Sequence, residues 1–442
     1  MDRRSVIKNA GIAGVLAAGV APAVHAQPTI RWRLTSSFPK VLDTLFGVND
    51  IFAAKVRELS GGRFQITTHA PGELVPAFGT IDAVKDGTVE MANTAPYYYF
   101  GKDETFALAC AIPFGLNSRQ MTAWYYEGNG LKLLRDFYRQ YNIVNFPMGN
   151  TGAQMGGWFR REIKSLADFK GTKFRVGGFG GRIVERIGGV PQNIPGGEIY
   201  QALEKGTIDA AEWVGPYDDL KLGFVKVAPN YAYPGWWEGG PGLELHVNTK
   251  AYDSLSPEYK AIIEAAAAES GVTMTARYDA KNPEALRRLV AAGTQLRAFP
   301  RPVMEAARKS ALELYEELSA KSPHFKKIYE AWNKFRAEET LWFRVAEHSF
   351  DSFMNSVDAQ TSAAPAAGKG QGRRISAPIS TRSRASRRPK MSGSKPSLSL
   401  RVSALTPSLA SSPPKCTSSA SMTGWGSKAT RSGPCKATGR PS

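Results

Sequence analysis

Arg175 is the residue whose position says most about the chemistry of this 442-residue chain. Residues 173–176 alternate between polar and apolar types, which predicts a half-buried strand that Gly177 and Gly178 terminate. A helix predicted over residues 180–187 would direct its N-terminal N–H groups and the positive end of its dipole toward Arg175. An arginine placed there can hold a carboxylate through two hydrogen bonds. The alternative is a surface arginine on an edge strand.

The segment 171–213 around Arg175 is a compact α/β unit: strand, glycine turn, helix, strand, proline break, helix and strand. Strands and helices alternate through the part of the chain from residue 27 to residue 354, which predicts a largely parallel α/β sheet. This part is long enough for two medium domains. The helices lengthen toward its end, with predicted spans of 257–269, 273–282, 283–291, 302–320 and 324–350.

The same segment resembles the substrate-binding half of the solute-binding subunits of tripartite ATP-independent periplasmic (TRAP) transporters, in the branch that binds 2-oxo acids. The match lies in G-x-K-F-R at 171–175, G-V-P at 189–191 and E-I-Y-Q-A-L-E-K-G-T-I-D-A-A-E-W at 198–213. The resemblance extends over about residues 31–354. Supporting stretches occur at 97–100, 111–115 and 151–157.

The resemblance implies a two-lobed, hinged α/β fold of the type II-like periplasmic-binding-protein class, with long C-terminal helices. Residues 27–150 would form lobe I, completed by about residues 239–280. Residues 151–238 would form lobe II, which carries Arg175. Residues 281–354 would be helices that pack on both lobes. The ligand would lie in the cleft, at the carboxyl ends of the strands.

Four residues are candidates for a cation site: Gln154, Glu212, Trp213 and Glu238. Side-chain oxygens of Gln and Glu, with a backbone carbonyl, are hard ligands that suit Na⁺ or Ca²⁺ rather than zinc. The resemblance implies that the cation bridges protein oxygens and the carboxylate and keto oxygens of the substrate. Gln154 and Glu212 would supply side chains, Trp213 its carbonyl, and Glu238 a fourth ligand. Alternatively, Gln154 is an ordinary turn amide, Glu238 a solvated loop acid and Glu212 a strand-end acid.

The substrate would contact Arg175, Gln154, Trp213 and Tyr98. Arg175 would neutralise its carboxylate, because burying that charge unpaired costs several kcal/mol. Tyr98 would form a wall from the other lobe, although aromatic runs also serve as plain core packing. The expected function is capture of a small carboxylate, a 2-oxo acid such as pyruvate, with Na⁺ or Ca²⁺ and no organic cofactor. Lactate or a dicarboxylate is the alternative ligand. The implied partners are membrane-embedded permease subunits, and the family allows a homodimer.

The sequence disfavours nucleic-acid binding, because most of its positive charge lies in the C-terminal tail and not in the part expected to fold. It also disfavours enzyme functions. The five histidines have no metal-ligand spacing, and the chain contains neither a G-x-S-x-G nor a G-x-x-x-x-G-K-[ST] motif. The best rival is a secreted carbohydrate hydrolase that uses Asp209 and Glu212 as its carboxylate pair. Three residues apart at a strand end, these two side chains would point to opposite faces, which counts against the hydrolase.

The two ends of the chain differ in composition from the rest. Residues 1–26 open with Arg3 and Arg4, continue with a short apolar run and end in Val-His-Ala, which predicts a twin-arginine-type signal peptide and a periplasmic protein. A Sec route is the alternative. Residues 355–442 contain fifteen Lys and Arg and one acid, and thus carry most of the net charge of +18. This tail has too few apolar residues to fold. A reading-frame shift is its favoured origin; the alternatives are a basic arm for an anionic partner and a tether to the cell wall or membrane surface.

Cysteine usage predicts that the fold needs no disulfide. Only Cys110 lies in the part of the chain that is expected to fold, and its apolar neighbours identify it as a small core residue. The other two, Cys416 and Cys435, lie in the tail.

Overall fold

The computed structural model describes residues 29–363, with side chains through residue 358. The predicted signal peptide and residues 364–442 of the predicted tail lie outside the described residues. The strands are β1 Ile30–Ser36, β2 Phe64–His69, β3 Met91–Thr94, β4 Ile143–Asn150, β5 Gly157–Phe159, β6 Lys173–Arg175, β7 Val190–Gln192, β8 Ala210–Ala211, β9 Asn230–Tyr233, β10 Gly242–Asn248 and β11 Gln295–Ala298.

The α-helices are α1 Gly47–Leu59, α2 Thr80–Lys85, α3 Ser118–Tyr126, α4 Gly130–Tyr138, α5 Gly178–Arg186, α6 Ile199–Glu204, α7 Pro216–Leu222, α8 Thr249–Asp253, α9 Pro257–Ala291, α10 Arg301–Lys321, α11 Pro323–Phe343 and α12 Ser349–Ala363. Short 3₁₀ turns lie between them, including Pro96–Tyr99 after β3. None of the helices in the described part of the chain combines the length and apolar character needed to cross a membrane.

Two separate sheets organise the chain. Sheet A has the strand order β2-β1-β3-β10-β4, and sheet B has the order β11-β9-β5-β8-β6-β7. All strands of a sheet run in one direction except β10 in sheet A and β5 in sheet B. The mixed α/β fold predicted from the sequence is confirmed, with one reversed strand in each sheet.

The reversed strands follow two of the three passages between the sheets; the third passage, through α9, enters sheet B by β11, which is parallel to its neighbour β9. The chain leaves sheet A at the end of β4 and enters sheet B through β5; it returns from β9 to β10. A strand entered at the edge where its neighbours end must run antiparallel to them. Both crossings therefore lie at the carboxyl ends of the remaining strands, which is where ligands bind in α/β sheets.

Helix α9 is one helix of 35 residues, so the prediction of three shorter helices over this segment was wrong. Pro283 lies inside it, although an internal proline costs about 3 kcal/mol. Buried residues on both sides of the proline, including Tyr278 and Leu289, hold the helix against the core, and burial of two such side chains outweighs that cost.

The end of the described chain differs from the predicted boundaries in two ways. Strand β11 lies in the segment 281–354 predicted to contain only helices, and it pairs in parallel with β9 of sheet B. Helix α12 continues to Ala363, nine residues beyond the predicted start of the tail. Residues 355–363 therefore belong to a helix.

Candidate functional site

The guanidinium of Arg175 is fully buried at the carboxyl end of β6. Its Nε donates to the carbonyl of Ile194 at 3.1 Å. Its Nη1 donates to the carbonyl of Glu212 at 2.8 Å and also to the Glu212 carboxylate. The guanidinium carbon lies 5.1 Å from the ring of Trp213, a cation–π contact. Nη2 has no hydrogen-bond partner within the described chain, so this end of the fork can bind a ligand.

Glu212 is brought to Arg175 by the sheet itself. Strand β8 pairs in parallel with β6, so the residue after Ala211 lies beside the end of β6. The carboxylate oxygen Oε1 of Glu212 also accepts from the backbone N–H of Gly177 at 3.3 Å, and Oε2 has no described partner. Burial raises the pKa of Glu212, and the positive charge of Arg175 opposes this shift.

Gln154 and Glu238 lie on the two crossing segments, which are hydrogen-bonded to each other. The N–H of Gln154 donates to the carbonyl of Glu238 at 3.0 Å, and the N–H of Gly235 donates to the carbonyl of Gln154 at 2.9 Å. The Gln154 side chain donates to the Thr151 hydroxyl at 3.1 Å. Glu238 is buried, and burial together with the negative charge of Glu212 raises its pKa well above the usual range.

A small cavity of about 10 Å³ lies between the ends of the two sheets. Four predicted site residues line it: Tyr98, Gln154, Trp213 and Glu238. Seven further residues complete the lining: Phe38, Leu45, Ala95, Tyr97, Thr151, Val214 and Leu243. Arg175 and Glu212 do not line it, but their charges act on the pKa values of Tyr97 and Tyr98. A larger groove of about 940 Å³ lies between α3, α9 and the end of the described chain, but Gln154 and Glu238, each with a buried oxygen that lacks a described partner, line the smaller cavity.

The donor set fits a hard cation. Three side-chain oxygens are buried without a described hydrogen-bond donor: Oε1 of Gln154, Oε2 of Glu212 and Oε2 of Glu238. Two carboxylates and an amide are ligands that Na⁺ and Ca²⁺ accept. No group of three or more His, Cys, Asp or Glu side chains in residues 29–363 could hold a metal ion. A cation here would therefore need amide, carbonyl and substrate oxygens as well.

Tyr97 was missed by the sequence reasoning, which selected Tyr98 from the aromatic run. Both rings lie in the 3₁₀ turn after β3, line the cavity and pack edge to face at 5.0 Å. The run of aromatic residues does not reveal which rings reach the cavity, because all of Tyr97, Tyr98 and Tyr99 are buried.

The carboxylate pair of the rival hydrolase is separated in the structure. Asp209 accepts from the backbone N–H of Lys173 at 3.0 Å and lines a surface pocket beside Arg160. Glu212, by contrast, is fully buried against Arg175. Because the two carboxylates face different environments, they cannot flank one glycosidic bond.

Residues 36–322 match the model of the DctP family, described as "Bacterial extracellular solute-binding protein, family 7". The chain is 48% identical over 363 residues to a monocarboxylate 2-oxoacid-binding periplasmic protein from Nostoc sp.; the match covers 80% of this chain and all of that protein.

Two solved structures are similar over nearly their whole length. A TRAP transporter solute-binding protein from Bordetella bronchiseptica, a mixed-occupancy dimer with calcium and picolinate, is 50% identical with a TM-score of 0.75, covering 76% of this chain and 99% of that one. A TRAP solute-binding protein from Pseudoalteromonas atlantica with sodium and pyruvate is 38% identical with a TM-score of 0.72, covering 73% and 99%.

These relatives are solute-binding receptors and not enzymes. The fold, the site at the sheet ends and the match over most of the described chain agree with one another. The chain therefore belongs to family 7 of the bacterial extracellular solute-binding proteins, the receptors of TRAP transporters.

Proposed function

We propose that this chain is the periplasmic receptor of a TRAP transporter that captures a 2-oxo monocarboxylate such as pyruvate together with Na⁺ or Ca²⁺. The observation that carries the proposal is the buried Arg175–Glu212 pair, each member of which keeps one atom without a described partner; Arg175 also contacts Trp213, which lines the cavity. Support comes from the Nostoc relative, whose name states 2-oxoacid binding. Two solved relatives add to it, since one contains pyruvate with sodium and the other picolinate with calcium.

The roles of the residues follow from their unpartnered atoms. Nη2 of Arg175 would bind the substrate carboxylate. Oε1 of Gln154, Oε2 of Glu212 and Oε2 of Glu238, with the carbonyl of Trp213, would bind the cation. The cation would in turn bind the carboxylate and keto oxygens of the substrate. The cation would supply positive charge opposite the substrate, because the charge of Arg175 is already balanced by Glu212.

The two sheets with their helices would be lobes I and II of a receptor that closes over its ligand. Lobe I would comprise about residues 27–150 and 239–280, and lobe II residues 151–238. Strand β11 would belong to lobe II. Ligand and cation contact both lobes only in the closed form, so their binding favours closure.

The test is isothermal titration calorimetry of the full-length protein, purified and stripped of ligand, with pyruvate, 2-oxobutyrate, lactate and succinate. Each ligand is titrated in sodium, in calcium and in a choline buffer with chelator. We expect micromolar binding of the two 2-oxo acids that requires a cation. Binding that is independent of cations would contradict the bridging role, and silence from both 2-oxo acids would contradict the substrate class.

Arg175→Lys tests the carboxylate contact. Lysine keeps the charge opposite Glu212 but cannot form the two-pronged hydrogen-bonding arrangement. We expect a loss of about 2 kcal/mol in pyruvate binding, roughly 30-fold in Kd. The matched control is Arg182→Lys on the exposed face of α5, which should bind like the parent protein. Equal affinity of the two variants would refute the role of Arg175.

The proposed partners are the membrane permease subunits and a second copy of this chain. Five large apolar side chains near the end of the described chain are 58–71% exposed: Leu341, Trp342, Val345, Phe350 and Phe353. An exposed apolar face of this kind is typical of a protein interface, and the Bordetella bronchiseptica relative is a dimer. Sedimentation velocity should find a dimer that the Trp342→Glu/Val345→Glu variant converts to monomer, whereas the exposed control Leu312→Glu stays dimeric.

Export through the twin-arginine route is the remaining part of the proposal, supported by Arg3 and Arg4 in the sequence. Replacement of both by lysine should stop export of the protein. Continued export of that variant would favour the Sec route.

A further inference from the structure

The ring of Tyr97 lies directly on the backbone of two glycines. A Cβ atom added at Gly177 would lie 2.2 Å from Cε2 and 2.7 Å from Cδ2 of Tyr97. A Cβ atom added at Gly178 would lie 2.8 Å from the Tyr97 Cβ. Contacts this short do not occur between real side chains, so the close approach requires glycine on both sides of the peptide bond.

The contact joins the two sheets. Tyr97 follows β3 of sheet A, and Gly177 follows β6 of sheet B, two residues after Arg175. A second pair extends the same interface, since the rings of Phe100 and Phe179 meet edge to face at 5.3 Å. The aromatic turn after β3, residues 96–100, thus contacts the N-terminal end of α5.

The two glycines also belong to the binding site. The N–H of Gly177 donates to Oε1 of Glu212 at 3.3 Å, and Gly178 has a φ of +52°, which suits glycine. The Tyr97 ring lines the cavity from the other side. The backbone that holds Glu212 is therefore the backbone against which sheet A rests.

We propose that the Tyr97–Gly177–Gly178 contact is the steric stop that sets how far the two lobes close, and thereby sets ligand affinity. The inference deepens the proposed function and rests on it. Tyr97 is a positioning residue: its ring determines how close Tyr98 comes to a ligand held by Arg175. In the open form the ring leaves the glycines, so a methyl group at residue 177 is tolerated there and opposed only in the closed form.

The consequence for binding follows from population shift. A ligand bound across both lobes gains its full affinity only from molecules that reach the closed form. A Cβ at residue 177 must move the Tyr97 ring by about 1 Å or more to reach an ordinary contact distance. Since Tyr97 is buried, that movement displaces the whole aromatic turn and holds the lobes apart.

The experiment compares Gly177→Ala, Tyr97→Ala and the double variant in the full-length protein. The readouts are the Kd for pyruvate with sodium, the radius of gyration by small-angle X-ray scattering with and without pyruvate, and the ligand-free melting temperature. We expect Gly177→Ala to keep the melting temperature, to bind at least tenfold more weakly and to fail to compact with pyruvate. The double variant should bind as Tyr97→Ala does, because removal of the ring removes the clash.

The control is Gly197→Ala, also in a loop following a sheet B strand, where an added Cβ meets nothing within 4 Å. It should bind and compact like the parent protein. The inference is overturned if Gly177→Ala also binds and compacts like the parent protein. It is likewise overturned if the loss of binding free energy in the double variant equals the sum of the losses in the two single variants. If the parent protein binds no 2-oxo acid, the proposed function fails. Ligand-free scattering in trimethylamine N-oxide, which favours compact forms, then decides: a larger radius of gyration for Gly177→Ala than for the parent supports the stop, and equal radii overturn it.

Discussion

Arg175 and Glu212 form a fully buried ion pair. Arg175 also donates to the carbonyl of Ile194, and Glu212 also accepts from the N–H of Gly177. Burial lowers the pKa of Arg175, but Glu212 together with Tyr98, Tyr97 and Glu238 outweighs this effect and raises the pKa above its usual value. Such a pair contributes little net stability relative to an apolar pair, yet removing one member leaves a buried charge unpaired. Under the proposed function, the pair serves ligand binding and not the stability of the fold.

Glu212→Gln should destabilise the protein by about 3 kcal/mol, since it leaves the Arg175 charge buried without a counter-ion. It should also weaken the effect of sodium or calcium on pyruvate binding. Urea unfolding measures the first effect and calorimetry the second. Glu185→Gln on the exposed face of α5 is the control and should change neither. A stability equal to that of the parent would mean that Arg175 finds another partner.

At the residue scale, the sequence predicted which residues lie at the site better than it predicted the contacts between them. Arg175 and Glu212 could be selected because each lies at or near the end of a predicted strand, and carboxyl ends of parallel strands meet at one edge. Their direct pairing was not predicted, because it depends on β8 lying next to β6, whereas β7 follows β6 in the chain. Glu238 was open to interpretation as a solvated loop acid, but the turn that carries it is buried beside Gln154.

Helix α7 begins in the core and carries two buried acids in its first turn, Asp218 and Asp219. Asp218 accepts from Thr44 and Tyr278 at 2.7 Å. Asp219 accepts from Trp158 at 2.9 Å and Tyr231 at 2.6 Å. Burial raises the pKa of Asp218 to about 6 and that of Asp219 to about 7, although hydrogen bonds oppose the shifts. Burial thus outweighs the helix N-terminus, which favours the charged form.

Asp219 predicts a pH dependence of stability with a defined sign. An unfolded Asp titrates near pH 4, so between pH 4 and about 7 the folded state holds the proton more tightly than the unfolded state. The contribution of Asp219 to stability therefore falls as pH rises through this window, by an amount on the order of 3 kcal/mol.

Chemical unfolding at pH 4.5 to 8 checks this contribution. The stability difference between the parent and Asp219→Asn should narrow or reverse as pH rises, because asparagine does not ionise. The exposed control Asp136→Asn should follow the parent profile. A difference that stays constant with pH would rule out titration of Asp219 in this window.

At the element scale, a local pattern located β6, which was predicted over residues 173–176 and is observed at Lys173–Arg175. Such patterns were less reliable for long helices. They failed for α9, where proline and glycine suggested breaks. The helix continues because its buried positions on both sides of Pro283 pack against the protein, and sequence periodicity contains no information about that packing. The two acids of α7 were also missed, because acidic residues in a first turn are usually exposed.

The two sheets are linked by a polar contact at the loop between β1 and α1 as well as by the covalent crossings. Asp43 pairs with Lys221 of α7 and accepts from the Tyr217 hydroxyl at 3.0 Å. Its backbone carbonyl accepts from Arg277 of α9. This cluster joins a loop of sheet A to a helix of sheet B beside the cavity residues Leu45 and Val214, so it should stabilise the closed molecule.

Lys221→Met should lower pyruvate affinity two- to fivefold, since a partly exposed ion pair contributes up to about 1 kcal/mol. The effect should diminish at high salt because exposed charges are screened. Lys309→Met, which disrupts a pair within α10, serves as the control. Calorimetry at 50 mM and 500 mM salt makes the comparison. Unchanged affinity in Lys221→Met would mean that the contact persists when the lobes open.

The position of β10 between β3 and β4 has a consequence for the newly made chain. Until residues 242–248 leave the ribosome, both neighbours of β10 present unpaired strand edges, and sheet A cannot be completed. The delay after β4 spans about 90 residues, which takes roughly 5–20 s at usual rates of synthesis. Sheet A is thus prone to aggregation until β10 is synthesised, which happens only after most of sheet B. Chaperones that bind extended chains should act in that interval.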